Sequence, residues 1–233
     1  LQDQDIKWAD YVFIGAMSIQ RKSARELINR CKELGASVVA GGPLFTASSQ
    51  DFKDVDYLVL NEAEVTLPKF LNDLQNGSMK RIYASDKKAD MLNSPVPAWE
   101  LIDNLHKYNS LCLQYSRGCP FNCDFCDVTL LFGHKIRTKS QEQLLKELDK
   151  LYQLGWREGV FIVDDNFIAN KRKLREKILP AMIKWNKEKN SCFSFGTQAS
   201  INIAEENKIM RMMAEAGFDS VFIGIETPHE ESL

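Results

Sequence analysis

Residues 111–126 read LCLQYSRGCPFNCDFC, an apolar run that leads directly into three closely spaced cysteines. Cys119, Cys123 and Cys126 follow the spacing C-x3-C-x2-C, and no fourth cysteine stands nearby on the far side. We call residues 116–126 the cysteine loop. Three thiolates on one short loop can bind three irons of a 4Fe–4S cluster and leave the fourth iron without a protein ligand. Because that iron can bind a small molecule, the spacing predicts a cluster that takes part in a reaction.

A zinc site, a disulfide and a buried core position each fit the three cysteines less well. A structural zinc site usually takes four ligands, in two separated C-x2-C pairs or with nearby histidines, and the nearest histidine is His134. Six cysteines in 233 residues without a secretory signal are typical of reduced thiols rather than disulfides. Asn122 and Asp124 make the loop polar, which argues against a core position. The remaining cysteines are predicted to be buried as small hydrophobic residues: Cys31, Cys112 and Cys192.

Length and composition are those of a soluble globular protein of one or two domains. The 233 residues are 44% hydrophobic and 27% charged, with a net charge of −2. We therefore expect no nucleic-acid partner, and the basic run Lys171–Arg175 is predicted to be a solvated helix face. No apolar run approaches the roughly 18 residues of a transmembrane segment, and residues 1–5 lack the regions of a signal peptide. We expect a cytoplasmic location and, since the sequence does not begin with Met, an internal fragment of a longer protein.

Strands and helices alternate in the first 85 residues. Three runs are typical of buried parallel strands: Tyr11–Gly15, Ser37–Ala40 and Tyr57–Leu60. Ser23 and Glu26 form a capping-box pattern that predicts the start of the first long helix. This alternation indicates a parallel sheet covered on both faces. Residues 86–107 contain two prolines and no sustained period, which is typical of a linker.

From residue 108 the alternation starts again. Four runs are predicted as parallel strands: Leu111–Tyr115, Val160–Val163, Phe193–Thr197 and Val221–Ile225. Ser140 and Gln143 form a second capping-box pattern. Functional residues gather at the carboxyl ends of parallel strands, because the loops there share one edge. We therefore expect the cysteine loop to share this edge with the polar residues that follow the other strands: Asp164, Asp165, Gln198 and Glu226.

Three stretches of the second half together resemble a cobalamin-binding radical S-adenosylmethionine (SAM) protein: the cysteine loop, Asp164–Phe167 and Gly224–Thr227. Runs similar to Tyr115–Phe121 and Thr197–Asn202 occur in its hopanoid C-2 methylase-like subgroup. The resemblance extends over about residues 9–233 and is more specific in the second half than in the first.

The resemblance implies an α/β fold in three parts. Residues 1–85 would be the C-terminal part of a Rossmann-like cobalamin-binding domain, and residues 86–107 a linker. Residues 108–233 would be the N-terminal part of a TIM-like (β/α) radical SAM barrel. Both domains would therefore be partial.

The cysteine loop would carry the cluster of this family. Cys119, Cys123 and Cys126 would bind the 4Fe–4S cluster, whose free iron would chelate the amino and carboxylate groups of SAM. Phe125, the aromatic residue before the last cysteine, would pack near the adenine. The alternative for Phe125 is ordinary packing.

The polar residues at the strand ends would bind the rest of SAM. Asp165, or Asp164 in its place, would accept a hydrogen bond from the ammonium group of SAM. A carboxylate suits this role because its charge is opposite to that of the ammonium group. Glu226 would bind the ribose hydroxyls, and Gln198 and Ser200 would contact the carboxylate or the ribose. The residues themselves leave alternatives open: Asp164 and Asp165 could cap the following helix, and Glu226 could be a surface carboxylate.

In the first half, Gly41 and Gly42 match the paired glycines that follow a strand in cobalamin-binding domains. The absent side chains would let the backbone approach the nucleotide tail of the cofactor. The sequence departs from the family at three positions: Gly15 replaces a serine, and Asn61 and Ala63 replace glycines. Asn tolerates a left-handed backbone, whereas Ala does so poorly.

The resemblance implies a radical SAM enzyme that forms a 5′-deoxyadenosyl radical and uses cobalamin to methylate an unactivated carbon. A small molecule or lipid would be the substrate, with a polycyclic lipid suggested by the subgroup. A flavodoxin or ferredoxin would supply electrons. A radical rearrangement or oxidation without methyl transfer is one alternative, and a non-catalytic iron–sulfur module is another.

Overall fold

Residues 1–225 are described by the computed structural model, and their contacts divide the chain between Ala89 and Asp90. The strands of the first unit are β1 (Tyr11–Gly15), β2 (Ser37–Gly41), β3 (Tyr57–Val59) and β4 (Ile82–Tyr83). Its helices are α1 (Asp3–Trp8), α2 (Arg21–Glu33), α3 (Pro43–Ala47) and α4 (Ala63–Gln75).

The first unit contains a parallel sheet in the order β1-β2-β3-β4. Val38 and Ala40 of β2 lie in one core with Ile28 of α2. Val39, which points to the opposite face, lies in another core with Phe70 of α4. The predicted parallel sheet with both faces covered is therefore confirmed. The sequence did not reveal β4, because two residues are too few to show a period.

The strands of the second unit are β5 (Ser110–Leu113), β6 (Ser116–Arg117), β7 (Arg137–Thr138), β8 (Gly159–Ile162), β9 (Phe195–Ala199) and β10 (Phe218–Ile223). Its helices are α5 (Val128–Phe132), α6 (Gln141–Gln153), α7 (Lys171–Lys173), α8 (Leu179–Glu188) and α9 (Asn207–Ala216). A π-helical segment, Leu174–Ile178, joins α7 to α8. Strands β5, β8, β9 and β10 form a parallel sheet in that order, and β6 pairs with β7 in an antiparallel ladder. Sequential parallel strands with intervening helices form a partial TIM-like barrel, as predicted.

Helices pack on one face of this second sheet. Leu111 and Leu113 of β5 are buried in a core with Leu148 of α6 and Met213 of α9. Cys112 stands between the two leucines and is exposed. The prediction that Cys112 is buried was wrong, because successive side chains of a strand point to opposite faces and Cys112 points away from the helices.

The two predicted capping boxes have different outcomes. Ser140 accepts a hydrogen bond at Oγ from the Gln143 N–H (3.1 Å), and Gln143 Oε1 accepts one from the Ser140 N–H (2.8 Å), so α6 begins as predicted. The box at Ser23 and Glu26 was wrong, because α2 already begins at Arg21. A 3₁₀ turn precedes α2, and the Ser23 hydroxyl donates to the Gln20 carbonyl (3.0 Å) from within the helix.

Residues 90–107, within the predicted linker, pack on the second unit. Trp99 is buried in the core of that unit. Gln143 on α6 donates hydrogen bonds from Nε2 to the carbonyls of Met91 (3.1 Å) and Leu92 (2.9 Å). Within residues 1–225, no helix is both long enough and apolar enough to cross a membrane.

Candidate functional site

The cysteine loop belongs to a hairpin of residues 116–138, which we call the cysteine hairpin. Its two arms are β6 and β7, in which Ser116 pairs with Thr138 and Arg117 with Arg137. The first arm, β6, follows directly after the carboxyl end of β5, so the loop leaves the barrel sheet at the predicted edge.

Gly118 allows the two sides of the cysteine hairpin to approach each other. Its φ is +98°, and a Cβ there would lie 2.8 Å from the Lys135 carbonyl oxygen and 2.9 Å from that of Gly133. The N–H of the next residue, Cys119, donates to the Gly133 carbonyl (3.3 Å). A side chain at position 118 would therefore force the two sides apart.

The three loop cysteines are free thiols. Cys119 and Cys126 are half-buried, Cys123 is exposed, and the Cys126 N–H donates to the Cys123 carbonyl (3.1 Å). Burial raises the pKa of Cys119, and the nearby Cys126 and Asp165 raise it further. The thiols thus stand close enough to one another and to Asp165 to interact electrostatically.

Three cysteine thiols on one loop are the kind of ligand set that binds an iron–sulfur cluster. Among residues 1–225, no group of three or more His, Cys, Asp and Glu side chains is arranged to hold one metal ion. In a 4Fe–4S cluster each cysteine thiolate binds a separate iron. Three soft thiolates on one loop therefore fit a cluster.

Asp164, at the end of β8, is completely buried and engaged with the cysteine hairpin. Its Oδ1 accepts a hydrogen bond from the Tyr115 N–H (2.7 Å), and its Oδ2 accepts one from the Ser116 hydroxyl (2.5 Å). Burial raises the pKa of Asp164 to about 7, although the hydrogen bonds from Ser116 and Tyr115 oppose that rise. The alternative role as a helix cap is not what the structure shows, because Asn170 Oδ1 caps α7 by accepting from the Lys173 N–H (3.1 Å).

Asp165 is the more accessible carboxylate of the pair. It is half-buried, and its Oδ2 accepts a long hydrogen bond from the Gly118 N–H (3.4 Å). Burial raises the pKa of Asp165, while the Gly118 N–H and the charge of Arg117 oppose that rise. Asp165 therefore lies beside the first turn of the cysteine loop with part of its surface open.

Gln198 and Ser200 lie at the end of β9, the next strand of the sheet. Gln198 is half-buried. Ser200 is clamped by Asn166, whose Nδ2 donates to Ser200 Oγ (3.0 Å) and whose Oδ1 accepts from the Ser200 N–H (3.3 Å). The sequence analysis missed Asn166, although its position directly after Asp164 and Asp165 was a signal for it.

Phe125 and Glu226 are the remaining residues predicted to bind SAM. Phe125 is 70% exposed on the cysteine loop. Glu226 lies outside the described residues. The binding roles of both residues remain predictions.

The fold of the first unit explains why positions 41 and 42 are glycines. A Cβ at Gly41 would lie 2.6 Å from the Val59 carbonyl oxygen of the neighbouring strand, and Gly42 has a φ of +88°. Asn61 adopts the left-handed conformation, with a φ of 65°. Ala63 is the first residue of α4, so it needs no left-handed conformation.

Lys139, Glu147 and Lys173 were also missed, and all three hold the second arm of the cysteine hairpin. Lys139 Nζ and Glu147 Oε1 form an ion pair of 2.6 Å, with side chains only 5% and 1% exposed. Lys173 Nζ donates to the Thr138 hydroxyl and to the Lys139 carbonyl (3.2 Å). Lys173 is therefore not simply part of a solvated helix face. Glu147 had a readable signal, because it lies three residues after Leu144 on the apolar stripe of α6.

Fold and site together agree with the sequence profile of the Radical SAM superfamily, which matches residues 113–233, just over half of the chain. The chain belongs to the radical SAM superfamily, a family that uses a 4Fe–4S cluster and SAM. The predicted family is therefore confirmed.

Curated relatives include named methyltransferases. An uncharacterized methyltransferase of Synechocystis sp. is 44% identical over 228 residues, which cover 97% of this chain and 42% of that protein. The hopanoid C-2 methylase of Rhodopseudomonas palustris is 35% identical over 233 residues, which cover 98% of this chain and 44% of that protein. The chain thus spans less than half the length of these two relatives.

Solved structures agree with the fold. The radical SAM methyltransferase TsrM from Kitasatospora setae, with tryptophan substrate and a SAM analog bound, matches with a TM-score of 0.76 at 14% identity, over 95% of this chain and 49% of that one. A structure of TsrM with cobalamin and a [4Fe-4S] cluster bound gives a TM-score of 0.75 at 15% identity. At this level of identity the likeness shows the α/β fold.

Proposed function

We propose that the protein is a radical SAM enzyme that methylates an unactivated carbon with the help of cobalamin. The observation that carries this proposal is the set of three free thiols on one loop at the carboxyl end of β5, beside Asp165. The relatives named as methyltransferases support methylation as the outcome. Because the chain spans less than half of their length, the activity of the whole protein is part of the proposal.

In this proposal Cys119, Cys123 and Cys126 hold the cluster. When bound, the cluster would supply the electron that cleaves the sulfonium of SAM to a 5′-deoxyadenosyl radical, which takes hydrogen from the substrate. Asp165 would accept a hydrogen bond from the ammonium group of SAM. Its carboxylate is half-buried beside the loop, where partial exclusion of water strengthens such a contact.

The rest of SAM would lie along the neighbouring strand ends. Gln198 would contact the carboxylate or the ribose, and Ser200 would do so from a position fixed by Asn166. Phe125 would turn toward the adenine when SAM is present, and Glu226 would bind the ribose hydroxyls.

Cobalamin would be held at the carboxyl end of the first sheet. Apart from its two neighbours in the chain, no residue among 1–225 has a heavy atom within 4 Å of a Cβ placed on Gly15, so the end of β1 leaves room for a ligand to approach the backbone. Gly41 and Gly42 stand at the end of the neighbouring strand. Asn61 takes the left-handed conformation that Asn tolerates, and Ala63 is helical, so neither replacement of a glycine strains the backbone. Cobalamin, when bound, would supply the methyl group that is transferred.

The partners of the proposed reaction follow from its chemistry. A flavodoxin or ferredoxin would deliver the electron, and the substrate would be a small molecule or a lipid. The hopanoid relative supports a polycyclic lipid. We also propose a cytoplasmic location, because the loop thiols need a reducing compartment.

The cluster is tested by anaerobic reconstitution with iron and sulfide, followed by metal analysis and an assay for 5′-deoxyadenosine. We expect about four irons per chain, no zinc, and reductive cleavage of SAM. Cys119→Ala should lose both the cluster and the cleavage. Cys112→Ala, which removes a thiol that lies outside the loop, should keep its iron. Zinc in place of iron, or a full cluster without SAM cleavage, would contradict the proposal.

Methyl transfer is tested separately from radical formation. The reconstituted protein should retain cobalamin through gel filtration, and the product should gain the mass of one CH2 group. A corrin-free protein with an intact cluster would remove cobalamin from the proposal. A product without added mass would favour a radical rearrangement or oxidation instead.

A further inference from the structure

Asp164 is hydrogen-bonded to the start of the first arm of the cysteine hairpin. Its two carboxylate oxygens accept from the Tyr115 N–H (2.7 Å) and from the Ser116 hydroxyl (2.5 Å), and Ser116 is the first residue of β6. Asp164 and Ser116 are 0% and 2% exposed. Hydrogen bonds to a buried carboxyl group are costly to break, because no water replaces them.

The second arm is held by side chains from two other helical segments. The Lys139 N–H donates to the Tyr115 carbonyl (2.9 Å), which extends the ladder between the two arms. The ammonium group of Lys139 is paired with Glu147 of α6, and Lys173 of α7 donates to the Thr138 hydroxyl. Both arms are therefore tied to side chains that lie outside the cysteine hairpin.

The position of Asp164 does not suit a direct contact with SAM. Asp164 is completely buried and both of its oxygens already accept from the first arm, so an ammonium group could reach it only if the surrounding chain moved. Asp165 meets the Gly118 N–H only at 3.4 Å and keeps part of its surface open. The two adjacent acids thus have different surroundings, which a pair of equivalent SAM ligands would not require.

We propose that Asp164 is a positioning residue that fixes the first arm of the cysteine hairpin, and through it the cluster ligands, without touching SAM. This inference rests on the proposed function, because it assumes that the loop holds a cluster. Asp164 places Ser116, which stands three residues before Cys119, while Glu147 and Lys173 place the other arm.

Three variants of the reconstituted protein test the proposal: Asp164→Ala, Asp164→Asn and Ser116→Ala. Asn keeps an acceptor oxygen for the Tyr115 N–H, and its amide can donate to the Ser116 hydroxyl, so it retains these two hydrogen bonds without a carboxylate and loses the one from the Ser116 N–H. Ser116→Ala removes only the hydrogen bond from the Ser116 hydroxyl, and it still tests the proposal if the Asp164→Ala variant fails to fold. The readouts are hydrogen exchange of residues 115–118, the rate of iron loss to a chelator, and the Kd of SAM.

Asp164→Ala should speed hydrogen exchange of residues 115–118 and iron loss by about tenfold or more, a typical effect of removing support for metal ligands. Ser116→Ala should change both in the same direction by a smaller factor. Asp164→Asn should leave the exchange, the iron loss and the Kd of SAM within about threefold of the wild type, because it retains the hydrogen bonds to the Tyr115 N–H and the Ser116 hydroxyl.

Asn186→Ala is the matched control for a general loss of stability. Asn186 is also buried and makes hydrogen bonds to the backbone at Phe193 and Ala216, far along the chain from the cysteine hairpin. In this variant, hydrogen exchange of residues 115–118 should increase by no more than hydrogen exchange in the rest of the second unit.

Two results would overturn the inference. One is an Asp164→Asn protein with normal iron retention and a Kd of SAM raised about tenfold, since this would make Asp164 a ligand of the substrate. The other is an Asp164→Ala or Ser116→Ala protein with unchanged exchange at residues 115–118. If the wild type takes up no cluster, the proposed function fails, while the exchange measurement still decides whether Asp164 fixes the arm.

Discussion

At Gly41 a strand end of the first unit is shaped by close approach of the backbone, whereas at Asp164 and Asn166 buried side chains hold the strand ends of the second. Gly41 leaves room for the Val59 carbonyl, and Asn61 takes a left-handed conformation. In the second unit Asp164 holds β6, and Asn166 holds Ser200. Because the packing of the sheet already requires a glycine at position 41, that glycine is weak evidence for a bound ligand. Two adjacent acids with different surroundings reveal more, because only one of them is needed to hold the chain.

The largest expected effect on stability comes from the ion pair in the second unit. Lys139→Met should lower the free energy of unfolding by about 3–5 kcal/mol, because Glu147 would remain buried without its partner. Chemical denaturation measures this loss. Lys139→Met combined with Glu147→Leu should recover most of it, since the double variant leaves no unpaired charge at this position.

The control for that variant is an exposed pair of the same unit. Lys187 and Glu215 also lie 2.6 Å apart, but their side chains are 60% and 53% exposed. Lys187→Met should change the free energy of unfolding by less than about 1 kcal/mol. Equal effects at Lys139 and Lys187 would contradict the view that buried side chains hold the second unit.

The pH dependence of stability tests the surroundings of Asp164. Burial raises its pKa in the folded chain to about 7, so between pH 4 and pH 7 the folded state keeps a proton that the unfolded state has released. This contribution to stability is fully present at low pH and is lost as the pH rises through about 7. The free energy of unfolding of the wild type, minus that of Asp164→Asn, should therefore fall between pH 4 and pH 8, on the order of 4 kcal/mol. A difference that stays flat or increases would show that Asp164 is not buried as described.

The two glycines on neighbouring strand ends test the first unit. Gly41→Ala should destabilise it by about 1–3 kcal/mol, because the new Cβ would press on a backbone carbonyl that cannot easily move. The Cβ of Gly15→Ala would meet no atom within 4 Å in the described part of the chain beyond its two neighbours, so this change should be neutral or stabilising by up to about 1 kcal/mol. Thermal unfolding of the two variants compares them directly. Equal losses would mean that the close approach at Gly41 is not what requires a glycine.

Local sequence patterns were sufficient to predict most strands of the two parallel sheets and the cysteine loop, but not β4, β6 or β7. The apolar runs that became β1, β2 and β8 carry their own period, and the spacing of Cys119, Cys123 and Cys126 lies within eight residues. These features depend on residues that are close together in the chain, so they can be read from the sequence alone.

Features that depend on distant contacts could not be predicted in the same way. The sequence does not say which of Asp164 and Asp165 faces inward, because that depends on contacts with Tyr115 and Ser116, almost fifty residues away. Cys112 was misassigned since the covered face of β5 is decided by helices that follow much later. Lys173 gained its partners through tertiary packing as well.

The smallest expected effect separates the two capping patterns, one in each unit. Ser140→Ala removes an acceptor from the Gln143 N–H at the start of α6 and should cost about 1 kcal/mol in the free energy of unfolding. Ser23→Ala lies within α2, where its hydroxyl bonds to the carbonyl three residues earlier, so the change should stay within about 0.5 kcal/mol. Urea denaturation resolves a difference of this size when the two variants are measured side by side. A larger loss for Ser23→Ala than for Ser140→Ala would mean that α2 begins where its sequence pattern predicts, and that the 3₁₀ turn before it contributes little.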